Sequence, residues 1–332
     1  MRNGFKLGVL ALDGAMLSTL ATALDTLRVA QKLAEIRDPQ NAPRFETMLV
    51  SARGATSVTT VHGLEVHGVV ATPDDLDVLL VPGIMHESPG DLLSRVASYD
   101  KERELVAAQQ LRGVRIAASC SGGFLLAAAG LLDGRRATTS WWLAAAFRQC
   151  FPKVRLEADQ ILVDDRGVAT SGAATAVQQL LLRLIAANGG EALAQSVARV
   201  LLIDPERQSQ APYVSEALIA QPRTSLSERA EKFLHRELHR DISVGELAEH
   251  VGASERSLLR HFRAHYGASP IAHIQRLRVE RAKALLESTH LTFDEIVERC
   301  GYTDTSSFRK LFKRATTLTP ADYRQRFALR AQ

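Results

Sequence analysis

Two copies of one small pattern near the C-terminus constrain this chain more than any other feature. Residues 243–267 read SVGELAEHVGASERSLLRHFRAHYG, and residues 292–316 read TFDEIVERCGYTDTSSFRKLFKRAT. Each begins with a short amphipathic segment, breaks at a glycine, and continues into a second helix rich in Ser, Thr and Arg. In the first copy Val244, Leu247 and Val251 form the apolar face, Gly252 ends it, and Ser254 suits the N-cap of the next helix. In the second, Ile296 and Val297 supply the apolar face, Gly301 breaks it, and Asp304 or Thr303 can cap the second helix of that copy. Two helices joined by a tight turn, the second polar and exposed, is the pattern of a helix-turn-helix that enters a DNA groove. One such pattern is weak evidence, because helix–Gly–helix units are common in plain bundles. The duplication is much harder to reach by chance.

Between the copies, Ile271, Ile274, Leu277, Ala282, Leu285 and Leu286 recur at helical spacing, which predicts one continuous helix from Pro270 to Ser288. At 1.5 Å per residue it spans roughly 28 Å. Such a rod is suited to holding the two second helices about one turn of duplex apart, roughly 34 Å.

From RSLLRHFRAHYG through IVERCGYTDTSSFRKLFKRATTLTPADYRQRF, the chain resembles the DNA-binding domain of AraC/XylS-type transcription regulators. The resemblance implies that Ser254, Arg256, Ser257 and Arg260 read bases from the first recognition helix, and Thr305, Ser306, Arg309 and Lys310 from the second. Arg263, Lys313 and Arg314, at the helix ends, suit phosphates. The residue types agree: Arg matches guanine bidentately, and Ser or Thr bonds to bases or phosphates at short range. Any one of these charges taken singly reads equally well as a solvated helix face. Phe262, Phe308 and Phe312 are expected in the core, and Cys300, beside the turn glycine, as buried filler.

Charge supports this division of the chain. Residues 226–332 carry 19 Lys and Arg against 14 Asp and Glu, whereas residues 1–225 carry 22 against 23. The basic excess falls on the part that would meet DNA. Seven of the ten His are also there, without metal-ligand spacing, and no metal or cofactor is expected. Three scattered cysteines, Cys120, Cys150 and Cys300, argue for a reducing cytoplasmic setting without a disulfide framework. No apolar run is long enough to span a bilayer, and MRNGFKLGVLALDG reads as the start of a strand rather than a signal peptide.

The first two hundred residues alternate strands and helices. Apolar runs at 5–12, 45–51, 75–83 and 114–119 read as buried strands; helical spacing covers 17–36 and 91–111. A short polar hairpin is expected near residues 63–67. A second hairpin is expected in 155–172, turning at Asp165-Arg166-Gly167, and helices at 173–187 and 191–202. This predicts an α/β fold, a mostly parallel sheet sandwiched by helices, followed by an all-α domain with two helix-turn-helix units. The expected division is 1–205 for the first domain, 206–225 for a Pro-containing linker, and 226–328 for the DNA-binding domain.

In such sheets ligands bind at the carboxyl ends of the strands. Strand 114–119 runs there into Cys120-Ser121-Gly122-Gly123 and a helix expected over 124–132. Strand, sharp turn and helix with a nucleophile at the corner is the layout of a nucleophile elbow. A thiol at a helix N-terminus is expected to favour thiolate, with the Ser121 and Gly122 N–H groups free to receive an oxyanion or a ligand carboxylate.

Residues 5–190, and most clearly SCSGGFLLAAAGLLDGRRATTSWW, resemble the ThiJ/PfpI-like, class I glutamine amidotransferase-like domain that some AraC-type regulators carry N-terminally. That implies a flavodoxin-like sheet. Catalytic members have a His after the elbow cysteine, where this chain has Ser121, and many regulator relatives have one where Ser140 stands. The acid expected after the first strand aligns with Thr19. His86, after Pro82-Gly83, is the only candidate for a replacement base. Without a base beside it a cysteine is poorly activated for acyl transfer. These departures favour a retired active site reused as a pocket for a small-molecule effector, lined by Cys120, Ser121, Gly122, Thr19, Ser140, Trp141 and His86. Trp141 and Trp142 fit strand-end core or a dimer contact equally well, and Thr138 and Thr139 read as strand.

The leading expectation is a ligand-responsive regulator of transcription, probing double-stranded promoter DNA, contacting RNA polymerase, and acting as an activator and homodimer. The competing readings are a cysteine-dependent hydrolase or amidase with a DNA-binding tail, and an architectural DNA binder that needs no effector.

Overall fold

A computed structural model describes residues 4–215 and 225–328. Contacts divide the chain between Gln210 and Ala211 into two compact units. Part of the expected linker, residues 216–224, lies outside the described residues.

The first unit is built on a seven-stranded sheet. Its strands are β1 (Gly4–Leu10), β2 (Arg44–Ser51), β3 (Val69–Ala71), β4 (Val78–Val81), β5 (Arg115–Ser119), β6 (Leu162–Asp165) and β7 (Val168–Ser171). The order across the sheet is β6-β7-β5-β4-β1-β2-β3. Every pair is parallel except β6 with β7 at the edge. That pair turns at Arg166 and Gly167, both at positive φ. Two φ > 0 residues in a two-residue turn match the twist of a hairpin.

Alternation along the strands shows why both faces are covered. Val78 and Leu80 point into a core shared with the helices Leu17–Arg37, Val177–Gly189 and Glu191–Val200. Leu79 and Val81 point into a second core with Leu92, Val106 and Phe124 from the helices on the other face. A strand buried on both sides must be apolar throughout, as the VLLV of β4 is.

Three local expectations differ from the structure. The helix expected over 91–111 is two helices, Pro89–Ser98 and Asp100–Leu111. The break falls at Tyr99, whose hydroxyl donates to Asp13 O at 2.7 Å. The helix after Cys120 stops at Ala128 rather than 132, and the chain then turns at Gly130, φ 76°. Thr138 and Thr139 are not strand; only Arg136–Ala137 pairs there, with Arg155–Leu156. They form a fully buried loop whose polar groups bond elsewhere.

Residues 206–210, assigned to the linker from composition, include a side chain built into the first unit. Gln210 Nε2 donates to Thr139 O and Ala158 O at 2.9 Å, and its Oε1 accepts from Ala173 N at 2.8 Å. A Cβ at Gly172 would lie 2.3 Å from Gln210 Cδ, so only glycine leaves room for this amide.

The second unit contains seven helices among the described residues: Ser225–Glu237, Val244–His250, Glu255–Tyr266, Pro270–Ser288, Phe293–Arg299, Thr305–Thr316 and Pro320–Phe327. Their starts follow side-chain caps. Ser243, Ser254, Ser269, Thr292, Asp304 and Thr319 each accept a hydrogen bond from a backbone N–H in the first turn. Thr292 and Glu295 complete a reciprocal capping box. Gly252, Gly267 and Gly301 take positive φ at the helix ends. The unit has two cores, one around Leu247, Leu258 and Phe262, the other around Ile296, Phe308 and Phe312.

Candidate functional site

The corner after β5 has the backbone of an elbow. Cys120 takes φ 57°, a left-handed conformation that costs a non-glycine residue about 1–3 kcal/mol and persists only where its surroundings enforce it. Those surroundings are tight. A Cβ on Gly122 would lie 2.4 Å from Pro82 O, so the corner presses directly on the turn after β4. Gly83 in that turn accepts from Met16 N at 2.8 Å, which joins the ends of β1, β4 and β5.

The corner is closed and internally bonded. Cys120 is 3% exposed, and Ser121 and Ser140 are fully buried. Cys120 Sγ and Ser140 Oγ lie 2.8 Å apart. Ser121 Oγ accepts from Ile84 N and donates to Ile84 O, both at 2.8 Å. His86 Nδ1 lies 2.9 Å from the same Ile84 carbonyl. Thr139 Oγ1 donates to Cys120 O at 3.1 Å.

The thiolate expected from the helix N-terminus is therefore corrected. Burial pushes the Cys120 thiol up, against smaller lowering contributions from Ser140, Ser121 and the Ala174 N–H. Removing a thiolate from water outweighs a short run of backbone dipoles here. The side-chain group bonded to the sulfur is the Ser140 hydroxyl, and His86 meets the Ile84 carbonyl through Nδ1.

Of the seven residues expected to line an effector pocket, the structure joins four: Cys120 to Ser140 directly, and Ser121 to His86 through Ile84 O. Gly122 supplies the close approach to Pro82. Trp141 is 9% exposed, edge-on to Trp142 with ring centroids 5.2 Å apart. Thr19 is buried, 1% exposed, with no hydrogen-bond partner for its Oγ1. Ser119, at the end of β5, is likewise buried with an unpartnered Oγ. Sequence reasoning missed Ser119 and Gln210; the first read only as the last residue of a strand and the second as linker.

In the second unit both recognition helices present their polar faces to solvent. Arg256, Arg260 and Arg263 are exposed at i, i+4 and i+7, so they share one face. Ser254 serves the cap: its Oγ accepts from Ser257 N at 3.2 Å and donates to Ser257 Oγ at 3.1 Å. In the other helix Ser306, Arg309, Lys310, Lys313 and Arg314 are exposed, with Thr305 half-buried. Asp304 rather than Thr303 is the cap, accepting from Ser306 N at 2.9 Å. Arg309 stretches over the Phe293 ring at 5.0 Å. Phe262, Phe308, Phe312 and Cys300 are fully buried, as expected. Burial raises the Cys300 thiol to about 11.

A helix-turn-helix domain model matches residues 247–326, and a DJ-1/PfpI family model matches residues 26–187. The DJ-1/PfpI match falls within the first unit and the helix-turn-helix match within the second. The HTH-type transcriptional regulator GbdR of Pseudomonas aeruginosa is 28% identical over 98% of this chain and 85% of its own length. GlxA of Rhizobium meliloti, likewise named an HTH-type transcriptional regulator, is 29% identical over 98% of this chain and 97% of its own. CdhR of P. aeruginosa, with the same description, is 29% identical over 97% and 92%. A crystal structure from Vibrio parahaemolyticus superposes on 60% of this chain and 99% of its own, with a TM-score of 0.51 at 22% identity, which concerns the fold alone. Domain matches and full-length relatives together support a DNA-binding regulator, with both domains in the order read from the sequence. No helix among the described residues is long and apolar enough to cross a membrane.

Proposed function

We propose that this chain is a transcription regulator whose DJ-1/PfpI-type domain senses a small metabolite and whose second domain binds promoter DNA through both recognition helices. The observation that carries the DNA half is the pair of capped, exposed, cationic helices at the two ends of one 19-residue helix. Ser254, Arg256, Ser257, Arg260, Thr305, Ser306, Arg309 and Lys310 face bases; Arg263, Lys313 and Arg314 hold phosphates. The chain works in the cytoplasm as a homodimer and activates transcription by contacting RNA polymerase.

The sensing half rests on the corner after β5. Cys120 is not a catalyst: its thiol is buried and neutral, and Ser121 and Ser140 stand where a His would be needed. Two buried hydroxyls without partners, on Thr19 and Ser119, mark polar groups that a bound metabolite would satisfy. Such a metabolite controls DNA binding only if it binds two arrangements of the protein unequally.

Footprinting on the promoter of the chain's own gene tests the DNA half. Arg256→Ala and Arg309→Ala should each weaken the specific site by about 1–3 kcal/mol and leave a scrambled duplex unchanged. Equal loss on both duplexes would reduce these residues to phosphate contacts, and no footprint at all would remove the reading. For the sensing half, mass spectrometry of metabolites released on denaturing the native chain should find one that Thr19→Val abolishes. Product turnover by the parent that Cys120→Ala removes would restore the enzyme reading, which the left-handed elbow at Cys120 keeps worth testing.

A further inference from the structure

The 19-residue helix Pro270–Ser288 serves two separate cores. Ile274 and Leu277 belong to the core of the first helix-turn-helix. Val279, Ala282 and Leu286 belong to that of the second. Arg278 is the residue between them, and it is 6% exposed.

Its side chain reaches both ways. Nη2 donates to Arg240 O at 2.5 Å, in the loop before the first helix-turn-helix. The guanidinium lies over the Tyr302 ring at 4.9 Å, in the turn of the second. Both anchors are themselves braced. The Arg240 side chain bonds Glu237 Oε2 at 2.8 Å and Glu246 Oε2 at 3.1 Å, which pins the loop carrying the gripped carbonyl. The Tyr302 ring packs on buried Phe308 with centroids 4.6 Å apart.

A groove of about 690 Å³ runs along this seam, lined by Arg240, Ile274, Arg278, Glu298 and Tyr302. Backbone also approaches backbone there: a Cβ at Gly301 would lie 2.7 Å from Leu238 O. Arg278 Nε is buried with no hydrogen-bond partner. A residue selected only to stabilise either core would be apolar here, because a buried charge with an unfilled donor is a net burden. What a guanidinium adds is planar geometry: it forks to a carbonyl and stacks on a ring at once, which an ammonium does not.

We infer that Arg278 is a positioning residue that sets the angle between the two recognition helices, and with it the half-site spacing the protein accepts. The inference rests on the proposal that both helices enter DNA. A rigid link gives the second contact a high effective concentration; a link free to swing spreads that concentration over unproductive geometries.

The test uses the full chain and a duplex selected by the parent from random DNA. It is compared with the same duplex with either half scrambled, or with one or two base pairs inserted between the halves. Arg278→Met should leave affinity for each half-scrambled duplex within about twofold. It should lower affinity for the intact duplex about tenfold and shrink the penalty for insertions by a similar factor. Arg278→Lys, which keeps the charge, should behave like Arg278→Met. An unchanged insertion profile, an equal loss on intact and half-scrambled duplexes, or full rescue by Lys would overturn the inference. If Arg278→Met fails to fold, Tyr302→Leu breaks the same contact from the other side and is judged by the same comparison. A parent indifferent to scrambling either half would sink the two-helix reading itself, and the inference with it.

Discussion

Replacing Ser121 with alanine isolates the strut that holds the elbow closed. The Ser121 hydroxyl bonds both the N–H and the carbonyl of Ile84 at 2.8 Å, and both residues are buried. Alanine keeps the backbone and removes one atom, so cavity formation contributes little. The Ile84 N–H is left unpaired away from water, at about 1–3 kcal/mol. The Ile84 carbonyl keeps its contact with His86 Nδ1, so the second lost bond adds only about 1 kcal/mol. The first unit should therefore lose about 2–4 kcal/mol. The chain's two tryptophans, Trp141 and Trp142, both lie in this unit beside the corner, so their fluorescence reports its unfolding alone. In a urea titration the midpoint should fall at unchanged m; on heating, Tm should drop by roughly 4–16 °C for a domain of this size. A Ser121→Ala chain within about 0.5 kcal/mol of the parent would refute the reasoning, since the background scatter of neutral substitutions is that large.

Three further outcomes are expected. In native protein at mildly alkaline pH, a thiol reagent should modify exposed Cys150 quickly and reach buried Cys120 and Cys300 only on denaturation; rapid labelling of Cys120 would contradict its burial. Thr317 holds φ 64° at the C-terminal end of the second recognition helix, where the first has Gly267 at φ 63°; Thr317→Gly should stabilise the second unit by about 1 kcal/mol in chemical denaturation, and a loss of stability would count against the left-handed cap. Glu237 is held down from 4.5 to about 2, by its hydrogen bonds to Arg240 and Arg236 foremost. A depressed carboxylate contributes stability above its unfolded value and loses it as pH falls through the folded one. Glu237→Gln should accordingly flatten the acid limb of the second unit's stability between about pH 4.5 and 2, and an unaltered limb would mean the half-buried pair is screened away.

The helix-turn-helix core of the second domain was legible because its signals are local. A Ser, Thr or Asp that caps its own first turn, and a glycine that alone tolerates positive φ, act within about four or five residues. Hence Pro270–Ser288 has the bounds read from spacing, and Ser254 and Gly301 punctuate as expected. The parallel sheet was legible for a related reason: apolar runs such as VLLV are long enough to show burial on both faces. Tertiary structure decided what depends on neighbours distant in sequence. The protonation of Cys120 was misjudged from its helix N-terminus, because desolvation by surrounding strands and loops outweighs a local dipole. Gln210 read as linker, yet its amide is drawn into the first unit by carbonyls roughly fifty and seventy residues away. Arg278 was not singled out in the sequence; only the fold puts a carbonyl on one side of it and an aromatic ring on the other. Short-range backbone preferences are written residue by residue, whereas burial and the partners of a buried polar group exist only once the chain has closed around them.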